Sequence, residues 1–289
     1  MTTKPAIRST SRVMFLVLCA SLAGPIHTVH GQDVEAVFLG TMGFKFTTPG
    51  GKVIITDPWL DGPDFPRNVA LDRVDLILVS GAHFDNLGNT VEVAKRTGAP
   101  VIATAELAAW IASRGVPAHQ LFPMMQSGVC GKLDAPDDPC SPLGISVKVL
   151  PAVHTAGIDV PEQQTEGYGG ASIGFLITFE NELRLYFSGD TGLFGDMSLI
   201  GRLYKPHIAI LSTAGRFMME PIDGALAAQF LRTRNPWLRT IIPAHHFINI
   251  HVPGATGTPG KVAAELQKMG LPVKVIDPVP GEPFTLRKR

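Results

Sequence analysis

The sequence predicts an α/β fold in which two mixed β-sheets pack together with helices on the outside. Three observations carry this expectation. Short apolar runs bounded by charge or glycine alternate with stretches of helical spacing. Each half opens on strands joined without an intervening helix, so antiparallel pairing precedes the alternation of strand and helix. No linker, low-complexity tract or short-period repeat divides the 289 residues, and a content of 45% hydrophobic and 17% charged residues is enough to bury a large core.

The first residues read differently from the rest. Lys4, Arg8 and Arg12 precede the apolar run "VMFLVLCASLAG", and a small-residue region ends in "TVHGQ". A basic start, an apolar run of about a dozen residues and a cleavage point after Gly31 describe a secretory signal over residues 1–31, with the mature domain at 32–289. The run is short for a membrane span, and Leu18 before Cys19 is a poor residue ahead of a lipidated cysteine. The expectation is a secreted or periplasmic protein with no stable membrane insertion after signal cleavage. An uncleaved anchor is the alternative.

From there the elements follow in order. "VEAVFLG" and "GFKFTT" read as strands, and "PGGK" turns the chain into the strand "VIITDPW". "VDLILVS" is an apolar run of the kind buried on both faces. "NTVEVAKRTG" has helical spacing and a glycine stop, followed by the strand "PVIATA" and the helix "AELAAWIASRG". In the second half "ISVKVLPAVH", "ASIGFLITFE" and "LRLYFSGD" are strands. Then helix and strand alternate through "LFGDMSLIGRLY", "HIAILS", "DGALAAQFLRTR", "RTIIPAHH" and "KVAAELQKMG", closing on the strands "VKVID" and "FTLRK".

Between the halves, Cys130 and Cys140 bracket "GKLDAPDDP", which is too polar and proline-rich for a core. In an oxidising compartment the pair is expected to form a disulfide stapling a surface loop, worth about 2–3 kcal/mol. Two cysteines alone fall short of the four ligands of a structural zinc. The 25 basic and 25 acidic residues balance, which argues against a nucleic-acid partner and leaves a small-molecule substrate as the expected one.

The chemistry gathers at strand ends. His83 and Asp85 follow "LILVS", His154 follows "VKVLPAV", Asp190 follows "LYFSG", and His245 follows "TIIPA". Side chains that leave a packed sheet at such points meet solvent and one another. Their convergence would place three imidazoles and two carboxylates in one cleft.

With these residues in place, the chain resembles the metallo-β-lactamase superfamily, in its branch of metal-dependent hydrolases of the ascorbate-6-phosphate lactonase type. "FLGTMGFKF" with "GGKVIITDPWLDGP" resembles the opening strands and the Asp-Pro turn at Asp57. "SGDTGLFGDMSLIGRLYKP" resembles the segment around the bridging aspartate, here Asp190. "LPAVHTAG" and "PAHH" place the middle and last histidines at His154 and His245. The resemblance implies an αββα sandwich. It also implies two metal sites, which would draw here on His83, His154 and Asp190, and on Asp85, Asp190 and His245.

One loop departs from that family. Its pattern His-x-His-x-Asp-His reads Gly81, Ala82, His83, Phe84, Asp85, Asn86 here, and "TAGRFMMEP" carries Arg216 where relatives usually have histidine. The expected centre is therefore reduced: a divalent metal, zinc ahead of manganese or iron, and one per chain sooner than two. The expected activity is hydrolysis of a small ester, lactone, amide or phosphoester by a metal-activated water. Asp85 would accept a proton or orient the water, and Arg216 would bind an oxyanion or a carboxylate or phosphate of the substrate. The alternatives are a metal-free binding protein on the same scaffold and an iron-dependent oxygenase or lyase.

Plainer roles attach to the neighbours. Asp57 is expected to orient a cleft histidine, Glu220 and Asp223 to be helix N-terminal acids, and His246 to be a packed strand-end residue. Asp190 could equally cap the following helix. Tyr168, in the polar segment "PEQQTEGYGGAS", is the one residue there marked for a substrate-facing loop.

Overall fold

A computed structural model describes residues 1–2, 33–131, 138–158, 167–215, 217–246 and 259–288. Residues 3–31 of the expected signal and Arg216 lie outside them. Among the described residues no helix is long and apolar enough to cross a membrane.

The first half builds β1 (Val34–Gly40), β2 (Gly43–Thr47), β3 (Val53–Thr56), β4 (Leu76–Leu78), β5 (Val101–Ala103) and β6 (Leu121–Pro123). The last strand, β14 (Pro283–Leu286), returns to this sheet, giving the order β14-β1-β2-β3-β4-β5-β6. β1, β2 and β3 pair antiparallel, and β3 to β6 pair parallel. The second half repeats the plan. Here β7 (Val129–Cys130), β8 (Ser146–Pro151), β9 (Ile173–Thr178) and β10 (Arg184–Phe187) are antiparallel, while β11 (Ile208–Ser212), β12 (Thr240–Ala244) and β13 (Lys274–Val275) continue in parallel from β10.

Strand periodicity decides what faces what. Along β1, Ala36 and Phe38 point to the inter-sheet core while Val37 and Leu39 point the other way, and all four are buried. A sheet buried on both faces needs a cover on each. The central core joins Phe38, Phe44 and Phe46 of the first sheet to Phe175 and Phe187 of the second. The first sheet's outer face is covered by α2 (Thr90–Thr97) and α3 (Ala105–Ser113) through Val93, Leu107 and Ile111. The second sheet's is covered by α4 (Met197–Tyr204), α5 (Pro221–Leu231) and α6 (Pro259–Lys268) through Ile200, Leu231 and Leu266. This is the expected αββα sandwich.

Local signals hold where they were read. α2 stops at Gly98 in the left-handed conformation, φ 74°. α5 starts on Pro221 with a reciprocal cap between Glu220 and Asp223, as expected for N-terminal acids.

The cysteines differ from expectation. Cys130 and Cys140 form a disulfide with Cα atoms 5.7 Å apart, but both are buried in the inter-sheet core rather than on the surface. Asp138 explains how a polar segment can end there. Its carboxylate accepts the backbone N–H groups of Gly131, Cys140 and Ser141, so the turn enters the core with its donors satisfied.

Candidate metal centre

Four loops at the C-terminal ends of β4, β8, β10 and β12 carry the five expected residues to one place. His83, His154 and Asp190 offer ligand atoms that all lie within 4.8 Å of one another, and so do Asp85, Asp190 and His245. Asp190 belongs to both groups. Arg216 lies outside the described residues.

Backbone geometry delivers these side chains. Asp190 follows Gly189, whose φ of 59° and lack of a side chain are both required, since a Cβ there would lie 2.5 Å from the Ile173 carbonyl and 2.8 Å from Ser80 Cβ. The Asp190 carboxylate is therefore set by the turn and not by helix capping; α4 begins seven residues later, at Met197, with Asp196 as its N-cap. His245 takes a left-handed φ of 67°, costly for a non-glycine residue. Its N–H donates to Thr41 O at 2.8 Å, which fixes the strand end where the ring leaves the sheet. His83 opens α1 (Phe84–Leu87), a single turn that buries Asp85 and Asn86.

Two clusters result. The His83 and His154 rings meet edge to face at 5.0 Å, and Thr155 Oγ1 lies 3.0 Å from His83 Nε2. His245 Nε2 lies 3.1 Å from Asp85 and 3.4 Å from Asp190, all three buried. Burial pulls the His245 imidazole down, but the two carboxylates override it and hold its pKa well above the ordinary value. Burial pushes Asp190 up, yet His245, His154 and His83 hold it below the usual carboxylate range. His154 is lowered, by burial first and by His83 and His245 next, which favours the neutral imidazole that ligates metals.

The residues fit a metal. Asp190 Oδ1 is buried with no hydrogen-bond partner, and an unsatisfied buried carboxylate oxygen calls for an electrophile. Nitrogen and oxygen donors in this number suit zinc, iron or manganese.

Asp57 corrects the expectation attached to it. It is fully buried, and its carboxylate accepts from Ser80 N at 2.8 Å, Ser80 Oγ at 2.6 Å and Asn86 Nδ2 at 3.3 Å. Its hydrogen-bond partners are thus Ser80 at the strand end and the amide of Asn86, not a cleft histidine. Burial raises its pKa well above the usual range despite those donors. His246 is buried beside Phe38, ring centroids 6.1 Å apart, as a packed strand-end residue should be. Sequence reasoning passed over Ser80 and Thr155. Each directly follows a feature already singled out, the strand before the loop and His154 itself, and that adjacency was the available signal.

Comparison with known proteins fits this geometry. A model described as a β-lactamase superfamily domain matches residues 52–256. A UPF0173 metal-dependent hydrolase of Cupriavidus necator is 37% identical over 258 residues, covering 86% of this chain and 84% of the relative. One from Rubrobacter xylanophilus is 33% identical over 247 residues, covering 85% and 93%. Among solved structures, Igni18, a metallo hydrolase from Ignicoccus hospitalis, superposes with a TM-score of 0.70 at 26% identity, covering 89% of this chain and 99% of the other. These matches support the superfamily and do not single out the ascorbate-6-phosphate lactonase branch.

Proposed function

The chain belongs to the β-lactamase superfamily, and from that premise we propose that it is an exported metal-dependent hydrolase of small esters, lactones or phosphoesters, working with one divalent metal. The observation that carries this reading is Asp190, shared by two three-ligand groups and left with an unsatisfied buried oxygen.

His83, His154 and Asp190 would hold the metal. Two imidazoles and a carboxylate with an open position make a catalytic zinc set. Asp85, Asp190 and His245 are already paired among themselves at 3.1 and 3.4 Å, which favours one ion over two. A metal bound here supplies Lewis acidity and a water acidic enough to attack a carbonyl or phosphoryl centre near neutral pH. The chain's own groups do the rest. Asp85 accepts the proton of the attacking water. His245, beside it, fixes that carboxylate in position. Arg216 is assigned to the oxyanion.

The test is metal content per chain, on protein exported to an oxidising compartment and purified without tag or chelator. About one zinc, manganese or iron is expected, lost in Asp190→Ala. Near-zero metal after incubation with each ion would sink the reading. It would leave the second one, a metal-free binding protein, which the internal pairing of His245 favours.

A further inference from the structure

Among the described residues, three of the large apolar side chains left open to solvent belong to segments that build the metal centre. Phe84, 39% exposed, directly follows His83; Val153, 55% exposed, directly precedes His154. Tyr168, 62% exposed, precedes Gly169, where any side chain would run into Ala82, the neighbour of His83.

Each of the three is held in place. Phe84 packs edge-on against Trp59 with ring centroids 5.3 Å apart. Val153 N donates to Thr191 Oγ1 at 3.0 Å and its carbonyl accepts Gly192 N at 2.9 Å, so it is tied to the loop that carries Asp190. Tyr168 pairs with Gly157 in an isolated antiparallel bridge. Ile158 N to Gly167 O at 2.9 Å and Gly169 N to Ala156 O at 2.7 Å close that bridge, and Thr104 Oγ1 donates to Gly169 O from the end of β5. Residues Gly167–Gly169 are therefore tied to Ala156–Ile158 and packed against Ala82, the chain neighbour of His83.

Apolar groups that a protein holds rigid yet leaves uncovered around a cleft mark a place where a ligand covers them. The alkyl or aryl chain of a carboxylic ester or lactone is what such a rim can cover.

We propose that the substrate is a carboxylic ester or lactone carrying an alkyl or aryl group of several carbons, and that Phe84, Val153 and Tyr168 set this preference by covering that group. The proposal rests on the hydrolase reading above. Hydrolysis breaks the acyl C–O bond. Water's oxygen bonds to the acyl carbon, and the leaving oxygen takes a proton to give an alcohol and a carboxylic acid.

The experiment compares 4-nitrophenyl acetate, 4-nitrophenyl hexanoate and 4-nitrophenyl phosphate on the metal-loaded protein. A fully buried methylene is worth about fourfold, so partial cover of four should favour hexanoate over acetate by about tenfold in kcat/KM, with the phosphate slowest. Phe84→Ser and Tyr168→Ser should each cut the hexanoate-to-acetate ratio by about fivefold. Leu203→Ser, an exposed residue of α4, should leave activity and ratio unchanged. Ester hydrolysis without chain-length preference, a ratio unmoved by the rim variants, or faster phosphate hydrolysis would overturn the inference while leaving a hydrolase. If no compound is turned over, the hydrolase reading fails, and calorimetric titration with hexanoate and acetate decides the rim separately. Tighter hexanoate binding that is lost in Tyr168→Ser supports an apolar site, and equal binding overturns it.

Discussion

His245 Nε2 and an Asp85 carboxylate oxygen stand 3.1 Å apart, both out of contact with solvent. With Asp190 at 3.4 Å, the imidazole sits between two carboxylates as their common partner. His245→Ala removes it and leaves two buried acids facing each other. Losing one member of a buried ionic group costs about 3–5 kcal/mol. Urea unfolding of the metal-free variant should show a loss near the lower figure, and added zinc should recover part of it by taking the place of the lost charge.

Gly81 and Asn86 form a matched pair. A Cβ at Gly81 would lie 3.2 Å from Asn86 Oδ1 and 3.4 Å from its Cγ, while the Asn86 amide is held by Asp57 at 3.3 Å. Gly81→His alone therefore meets a crowded neighbour and should not raise metal content above about one ion per chain. Gly81→His with Asn86→His removes the amide and adds two imidazoles, and about two ions per chain are expected by mass spectrometry.

His207 carries a pH dependence of stability. Its ring is stacked on Trp237 with centroids 5.9 Å apart, and its Nδ1 accepts Arg184 N–H at 3.0 Å. Burial first, then the charges of Arg184 and Lys288, lower its pKa to about 4. A base depressed in the folded state takes up its proton in the unfolded state first. Its stabilisation is complete above the unfolded value of about 6.5 and fades as pH falls toward 4. Melting temperature should drop over that window. In His207→Asn the loss of unfolding free energy over that window should be smaller by about 1 kcal/mol, a figure kept small because solvent reaches part of the cluster.

The disulfide is the remaining lever. A ring of this size is worth about 2–3 kcal/mol, and here both sulfurs lie in the inter-sheet core. Cys130→Ala with Cys140→Ala should lose that plus some packing, while reduced wild-type protein loses about the loop term alone. Denaturant midpoints with and without reductant separate the two.

Long apolar runs and strand ends made most of the fold legible in the sequence, together with the five side chains that converge at the candidate site. The apolar runs of β1, β2 and β4 bury enough surface to dictate their own placement. What escaped was short or held by side chains from afar. β6 and β7 span three and two residues and have no periodicity to read. The burial of Cys140 depends on Asp138 satisfying three backbone donors, which "GKLDAPDDP" does not advertise. Asp57 was placed beside the site correctly but given the wrong partner. The turn that carries it, with φ of 39°, aims its carboxylate at Ser80 and Asn86.

The last strand closes the first sheet. Val34 of β1 is in register with Leu286 of β14, about 250 residues further along the chain. Until the final segment arrives, β1 is an open edge ready to pair with a strand of another molecule. Folding of the sandwich is thus slow to complete and late to become protected from aggregation. Loss of even the last few residues would expose the N-terminal strand and not merely trim the C-terminus.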